Sequence, residues 1–526
     1  MRTLYRNGRV YSPTSWEPTA LLVEDGVLAW IGQDDGIGQY EGADVVDLDG
    51  ALVTPAFVDA HVHATSAGLA LTGLDLSGAA SLREALDAVE RAARAGRGRP
   101  ILGVGWDETA WPEQRPPTAA ELDRAAYGGS VYLSRVDVHS AVVSSTLAGA
   151  VPALAGLTGY RADGWLGGDA HDAARTVAHA ALTAGQVRDA QRATLRHAAS
   201  LGIACVHEMA GPSISGEDDL AGLLRLAGEE SLPEVIGYWG ELFGIEAARE
   251  LGAVGAGGDL FCDGSLGSHT AALREPYADR PDTSGTLRFQ TADLAEHIVR
   301  CTGAGLQAGF HAIGDAAIDQ VLDAVDQAGE RLGRTGGAGH RLEHAELVRD
   351  PQRLAGSGLL ASMQPAFDAA WGSATGMYRA RLGADRAARL NRFAELAAAG
   401  VPLAFGSDAP VTPLAPWAAV RAAAYPSDPA AAISPRSAFT AHTRAGWRAA
   451  RRDGEGVLTP GAPATFAVWR AGELAVDAPD DRLSRWSTDP RAAVPGLPDL
   501  APGAELPTCL RTVLRGRTIF AADLSG

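Results

Sequence analysis

Cysteine is scarce in this chain of 526 residues. The four present, Cys205, Cys262, Cys301 and Cys509, are widely spaced and form no CxxC pair. That spacing excludes a thiolate zinc knuckle. In a chain of this size it also argues against a disulfide framework, so the expected location is the reducing cytoplasm. Long apolar runs are lacking too, and no stretch of about 18 such residues predicts a membrane-spanning helix. The opening MRTLYRNGRVYSPTSW has neither the apolar core nor the small-residue cleavage site of a secretory leader. Positive charge is in deficit: 45 basic side chains stand against 64 acidic ones, a net charge of −19. Such a surface argues against nucleic acid and anionic membrane as partners and leaves a small-molecule substrate as the expectation. Arginine exceeds lysine, and alanine and glycine abound, which reads as GC-rich coding without functional content.

What is present is a sizeable core, with 46% hydrophobic residues, and a length that suits a large barrel with an appended domain. Residues 1–56 read as short strands with NG and DG turns: TLYRNGRVY, ALLVEDGVLAWIG and DVVDLDGALVTP. The far end reads the same way, in TFAVWRAGELAV and CLRTVLRGRTIF. Between them, short apolar runs alternate with Ala-, Leu- and Arg-rich helical stretches. The runs are FVDAHVH (57–63), IACVHEM (203–209), EVIGYWG (234–240), DLFCDG (259–264), AGFHAIG (308–314), RLEHAE (341–346), LLASMQP (359–365) and PLAFGSD (402–408). The pattern predicts an α/β fold: a (β/α)8 TIM-like barrel over 57–449 with a small β-sandwich domain formed by both termini, 1–56 and 450–526. Residues at about 68–190 break the alternation and read as a subdomain inserted after strand 1, over the C-terminal face where barrel active sites form.

The chemistry gathers at the ends of these runs. His61 and His63 are two apart, so on a strand both project to one side and can converge on one cation, which imidazole nitrogen binds at roughly 2.0–2.1 Å. HxH alone is weak. His311 ends AGFH, His344 ends RLEH and Asp408 ends PLAFGSD, each on a separate predicted strand. A lone buried histidine is usually structural. Four histidines and an aspartate, each at a strand end in a repeating βα pattern, are not explained that way.

These residues resemble the signature of the amidohydrolase superfamily, and more closely its YtcJ-like, N-substituted formamide deformylase-like branch. The resemblance runs over most of the chain, through TPAFVDAHVH, GVGWDETAW, PPTAAELD, VDVHS, CDGSLGSHTA, HAIGDAAID, RLEHAELV and GSDAPV. It implies a zinc-type hydrolase acting on C–N bonds other than peptide bonds, and a homodimer. It assigns metal-ligand positions to His61, His63, His311 and His344, and the role of ligand and general base to Asp408. His344 or His311 would help hold the carbonyl oxygen if only one metal is bound. The branch commonly carries a lysine four residues before the DG of strand four, which bridges two metals when carboxylated. Here that position is Asp259, read as a metal ligand or a supporting group. One or two divalent cations, Zn2+ first and Mn2+ or Fe2+ next, both remain open.

Weaker expectations concern the substrate. Trp106, Asp107 and His139 lie in the insertion, and Asp263, Ser265 and His269 in the loop after strand four, at family positions that approach the pocket. His269 stands where the branch usually has arginine, exchanging a fixed cation for a group that titrates near neutrality. His207 is placed at a pocket wall, Asp315 at a helix start, His442 in a helix or loop, and Glu343 in the barrel wall because strand neighbours face opposite sides. A ring deaminase using the same histidines and a metal-free binding homologue are the competing readings.

Overall fold

The computed structural model describes residues 2–13, 17–35, 42–96, 98–475 and 496–522. Residues 476–495 and 523–526 of the C-terminal β-rich tract lie outside the described residues.

The runs that read as apolar without alternation form strands buried on both faces, as a parallel sheet covered by helices requires. They are β1 (Phe57–Val62), β2 (Ile203–Ala210), β3 (Glu234–Trp239), β4 (Gly255–Ala256), β5 (Gln307–Ala312), β6 (Arg341–His344), β7 (Leu360–Met363) and β8 (Leu403–Phe405). All eight pair in parallel in chain order. The sheet closes on itself just beyond β8. Val62 bridges Ala409, Asp408 N donates to His61 O at 2.8 Å, and His63 N donates to Ala409 O at 2.9 Å. The result is an α/β TIM-like barrel. Gly406 permits the closure: a Cβ there would lie 2.5 Å from His61 N.

The fourth strand differs from its expected span. Regular pairing occupies Gly255–Ala256, ahead of the DLFCDG run. Gly258 follows with φ +86, a conformation that suits glycine, and a Cβ on it would meet Met209 Sδ at 2.5 Å. The chain then rejoins β5 irregularly, with His311 N donating to Leu260 O and Cys262 N to His311 O. Asp259 sits in this break, which lifts it into the barrel mouth.

Both chain ends build one five-stranded sheet, ordered Arg9–Val10, Leu52–Pro55, Phe466–Arg470, Thr508–Leu514, Arg517–Ala521. It shares an apolar core, including Val53, Phe466 and Val513, with a four-stranded sheet of residues 2–47 contributing Tyr5, Leu21 and Leu28. After β1, α1 (Ala64–Thr72) leads into another five-stranded sheet lying within residues 74–167. Its strand Val131–Arg135 alternates as a two-sided strand should. Val131 and Leu133 join a core with Trp106 and Trp111, while Tyr132 joins the opposite core against α2 (Gly168–Ala180). The following helix, α3 (Ala184–Ser200), packs on α1 and delivers the chain to β2.

Candidate metal centre

The C-terminal ends of β1, β6 and β8, with the break after β4 and the end of β5, converge on one buried cluster. Asp259 lies at its middle. Its Oδ2 is 3.4 Å from His61 Nε2 and 3.1 Å from His63 Nε2; its Oδ1 is 3.4 Å from His311 Nδ1 and 3.5 Å from His344 Nε2. Asp408 Oδ1 closes the other side, 3.1 Å from His63 Nε2 and 3.4 Å from His61 Nε2. Three sets of these groups have ligand atoms mutually within 4.8 Å: His61–His63–Asp259, His61–His344–Asp408 and Asp259–His311–His344. Ligands bound to zinc at roughly 2.0–2.2 Å in a tetrahedron stand about 3.3–3.6 Å from one another, close to the spacing seen here. The buried Nε2 of His61 and of His344 and Oδ1 of Asp408 have no hydrogen-bond partner among the described residues. Close approach without directional bonding is what a cation-binding donor set requires, so the residues fit a divalent metal.

The rings are fixed from behind. His61 Nδ1 donates to Glu343 Oε2 at 3.0 Å, His63 Nδ1 to Met209 O at 3.0 Å and His344 Nδ1 to Gln364 Oε1 at 2.9 Å. Each bond selects the tautomer that turns a free Nε2 lone pair inward. His311 is reversed: Nε2 is 3.1 Å from Gly264 O, and Nδ1 faces the centre. His344 and Asp408 leave their strands with φ of 69° and 57°. Non-glycine residues rarely adopt this conformation, and it is often found where function demands it.

Charge accounts for the field. Burial opposes protonation of His63, yet Asp259 and Asp408 outweigh it and push the imidazole to about 10. Burial is likewise overcome at His61, which the same two carboxylates hold well above its ordinary value. Burial raises and the histidines more strongly lower the carboxyls of Asp259 and Asp408, which therefore stay ionised. A field that holds extra protons on imidazoles also favours a divalent cation in their place.

Below the cluster, Arg341 is wholly buried. It donates through Nε and Nη2 to Glu343 at 2.7 and 3.0 Å, through Nη2 to Ala60 O, and through Nη1 to His207 Nδ1 and Tyr238 Oη. Glu343 thus points inward, contrary to its expected place in the wall. Strand alternation fails here because β6 ends by twisting into the left-handed conformation at His344, so the ring and its neighbour's carboxylate both reach the interior. His207 belongs to this floor rather than to a pocket wall. Burial first and Arg341 second hold it well below its ordinary value, so its neutral ring accepts from Arg341.

Other expected residues divide. His139 is half-buried beside His311, ring centroids 5.0 Å apart, and lines the cavity above the cluster. Ser265 lines an adjoining recess, where its Oγ donates to Asp137 Oδ2 at 2.8 Å. Four are not brought to the cavity. Trp106 is enclosed in the insertion's core with Nε1 donating to Leu133 O, because its strand turns that side away from the barrel. Asp107 accepts from Arg135 and caps a short turn at Thr109. Asp263 is spent on the backbone N–H groups of Ala272, Ile313 and Gly314, organising two loops. His269 turns outward to Asp279. Asp315 accepts from Arg274 N at the start of its helix, and His442 Nδ1 donates to Val58 O at the end of its own.

Sequence reasoning missed Gln364, Asp137 and Arg175. Asp137 ties the insertion to the loop after β4, accepting from Arg135, Ser265 and Ser268. Arg175 had a readable signal: His171, Arg175 and His179 recur every four residues and so share one face of α2.

An amidohydrolase family model matches residues 44–520, and the chain belongs to that family. It is 27% identical over 455 residues to the putative amidohydrolase YtcJ of Bacillus subtilis, covering 80% of this chain and 83% of that protein. It is 26% identical over 467 residues to the N-substituted formamide deformylase of Arthrobacter pascens, covering 81% and 84%. Among solved structures, an uncharacterized metal-dependent hydrolase from Pyrococcus horikoshii OT3 superposes with a TM-score of 0.72 at 28% identity, over 90% of this chain and 99% of that one.

Proposed function

We propose that the protein is a hydrolase of amide-type C–N bonds, an N-substituted formamide being the simplest such substrate, and that His61, His63, His311, His344, Asp259 and Asp408 would hold two divalent cations, zinc first. The observation that carries the two-cation reading is the split of one carboxylate between two histidine pairs. Oδ2 faces His61 and His63, and Oδ1 faces His311 and His344. No carboxylated lysine can take this place, because all 45 basic residues are arginines.

Bound cations of this kind make water acidic and polarise a carbonyl. The protein's own part is proton traffic and placement. Asp408, ionised and with an unpartnered Oδ1 in the cluster, takes the proton of the attacking water and returns it to the leaving nitrogen. Glu343, Gln364 and the Met209 carbonyl keep the imidazoles aimed, and His139 borders the space where the substrate carbonyl sits. The family match and the formamide-cleaving relative support the bond class.

The test is metal content by elemental analysis, paired with release of formate and amine from N-substituted formamides. Two zinc ions per chain are expected in the wild type and fewer in Asp259→Ala. Absence of bound metal, with no hydrolysis after zinc or manganese reconstitution, would overturn the reading. Ammonia released from heterocycles alone would replace it with a deaminase.

A further inference from the structure

The cavity above the cluster is lined by more than the metal-facing side chains. The insertion supplies part of that lining, with Arg175 and His179 from α2 and Tyr132 from the neighbouring strand, and apolar Leu69 and Leu102 lie along its walls. Arg175 is only 8% exposed. One nitrogen, Nη2, donates to Asp172 at 3.0 Å, but the buried Nε has no hydrogen-bond partner among the described residues. Nor does Asp172 fully compensate the charge. The same carboxylate takes Arg288 Nη1 at 3.0 Å and lies 3.6 Å from His171 Nδ1. Two guanidiniums therefore share one carboxylate. The nearby imidazoles add no negative charge and little positive: burial first, then Arg175 and His171, push His179 to about 4, and burial keeps His171 low as well. A buried guanidinium with an unused N–H and a surplus of charge is poised for an acceptor, and a carboxylate matches its fork.

We infer that Arg175 receives a carboxylate of the substrate, so that the natural substrates carry an anionic group separated from the scissile bond by an apolar spacer. The inference deepens the hydrolase reading by naming a substrate class and rests on it for the bond cleaved. The recognition of the anion is separable from turnover.

The experiment uses zinc-loaded protein and probes that cannot be hydrolysed: straight-chain methyl-ketone acids of increasing length and the matching methyl-ketone primary alcohols, with binding read by calorimetry. At the best length, the acid is expected to bind wild type roughly tenfold or more tighter than the alcohol, the scale of one charged hydrogen-bond pair. In Arg175→Met the acid-to-alcohol preference is expected to fall to about one, and Arg175→Lys, which keeps the charge but loses the fork, should fall between. A wild-type ratio near one at every length overturns the inference, as does an unchanged ratio in Arg175→Met. The wild-type measurement decides even if a variant fails to fold. An acid preference without any formamide hydrolysis would sink the proposed reaction and leave the anion site standing.

Discussion

Two buried polar clusters sit one above the other in this barrel. The floor cluster, Arg341 with Glu343, His207 and Tyr238, spends every guanidinium nitrogen on a partner. The mouth cluster packs four histidines and two aspartates as tightly, yet leaves His61 Nε2, His344 Nε2 and Asp408 Oδ1 unbonded. Burial is the same in both, so burial does not separate scaffold from chemistry. What differs is where the open groups sit: among the described residues the floor leaves one ring nitrogen, His207 Nε2, unbonded, whereas the mouth leaves three such atoms close together, as a donor set for a cation requires. Glu343 belongs to both clusters, bonded to Arg341 below and His61 above.

The largest expected effect falls on the mouth. Asp408→Asn should lower kcat by up to about ten-thousandfold while the unfolding midpoint hardly moves. Near-wild-type turnover would remove Asp408 from the proton path. Next, Arg341→Met should cost about 3–5 kcal/mol of stability in denaturant unfolding, because it strands the buried Glu343 charge. If stability were unchanged and only activity suffered, the floor would be part of the reaction and the contrast would collapse. The smallest effect should come from the shared residue. Glu343→Gln is expected to weaken zinc affinity about 10–100-fold in chelator competition, the usual cost of losing a partner behind a ligand histidine. Metal affinity equal to wild type would mean that His61 is aimed by packing alone.

Much of the mouth was legible because strand-end residues carry positional information. An apolar run that stops at histidine or aspartate marks the rim of a barrel, and that pattern led directly to His61, His63, His311, His344 and Asp408. Asp259 was found through a family comparison, but its lift out of β4 depends on the break at Gly258, which spacing does not reveal. Glu343 was misplaced because alternation assumes that the strand stays extended through His344. Trp106 and Asp107 were drawn to the pocket by motif proximity, whereas the direction of their strand is set by how the insertion's sheet lies on the barrel. Arg175 drew no reading at all, since charge on one face of a helix reads the same whether that face meets water or a cavity.

The absence of lysine reaches beyond ligand geometry. A carboxylated lysine is a carbamate, formed from dissolved carbon dioxide and lost when that gas is withdrawn. An aspartate at that position is encoded outright. In a chain whose 45 basic residues are all arginine, the proposed centre would assemble from cations alone, indifferent to the carbonate supply of its surroundings.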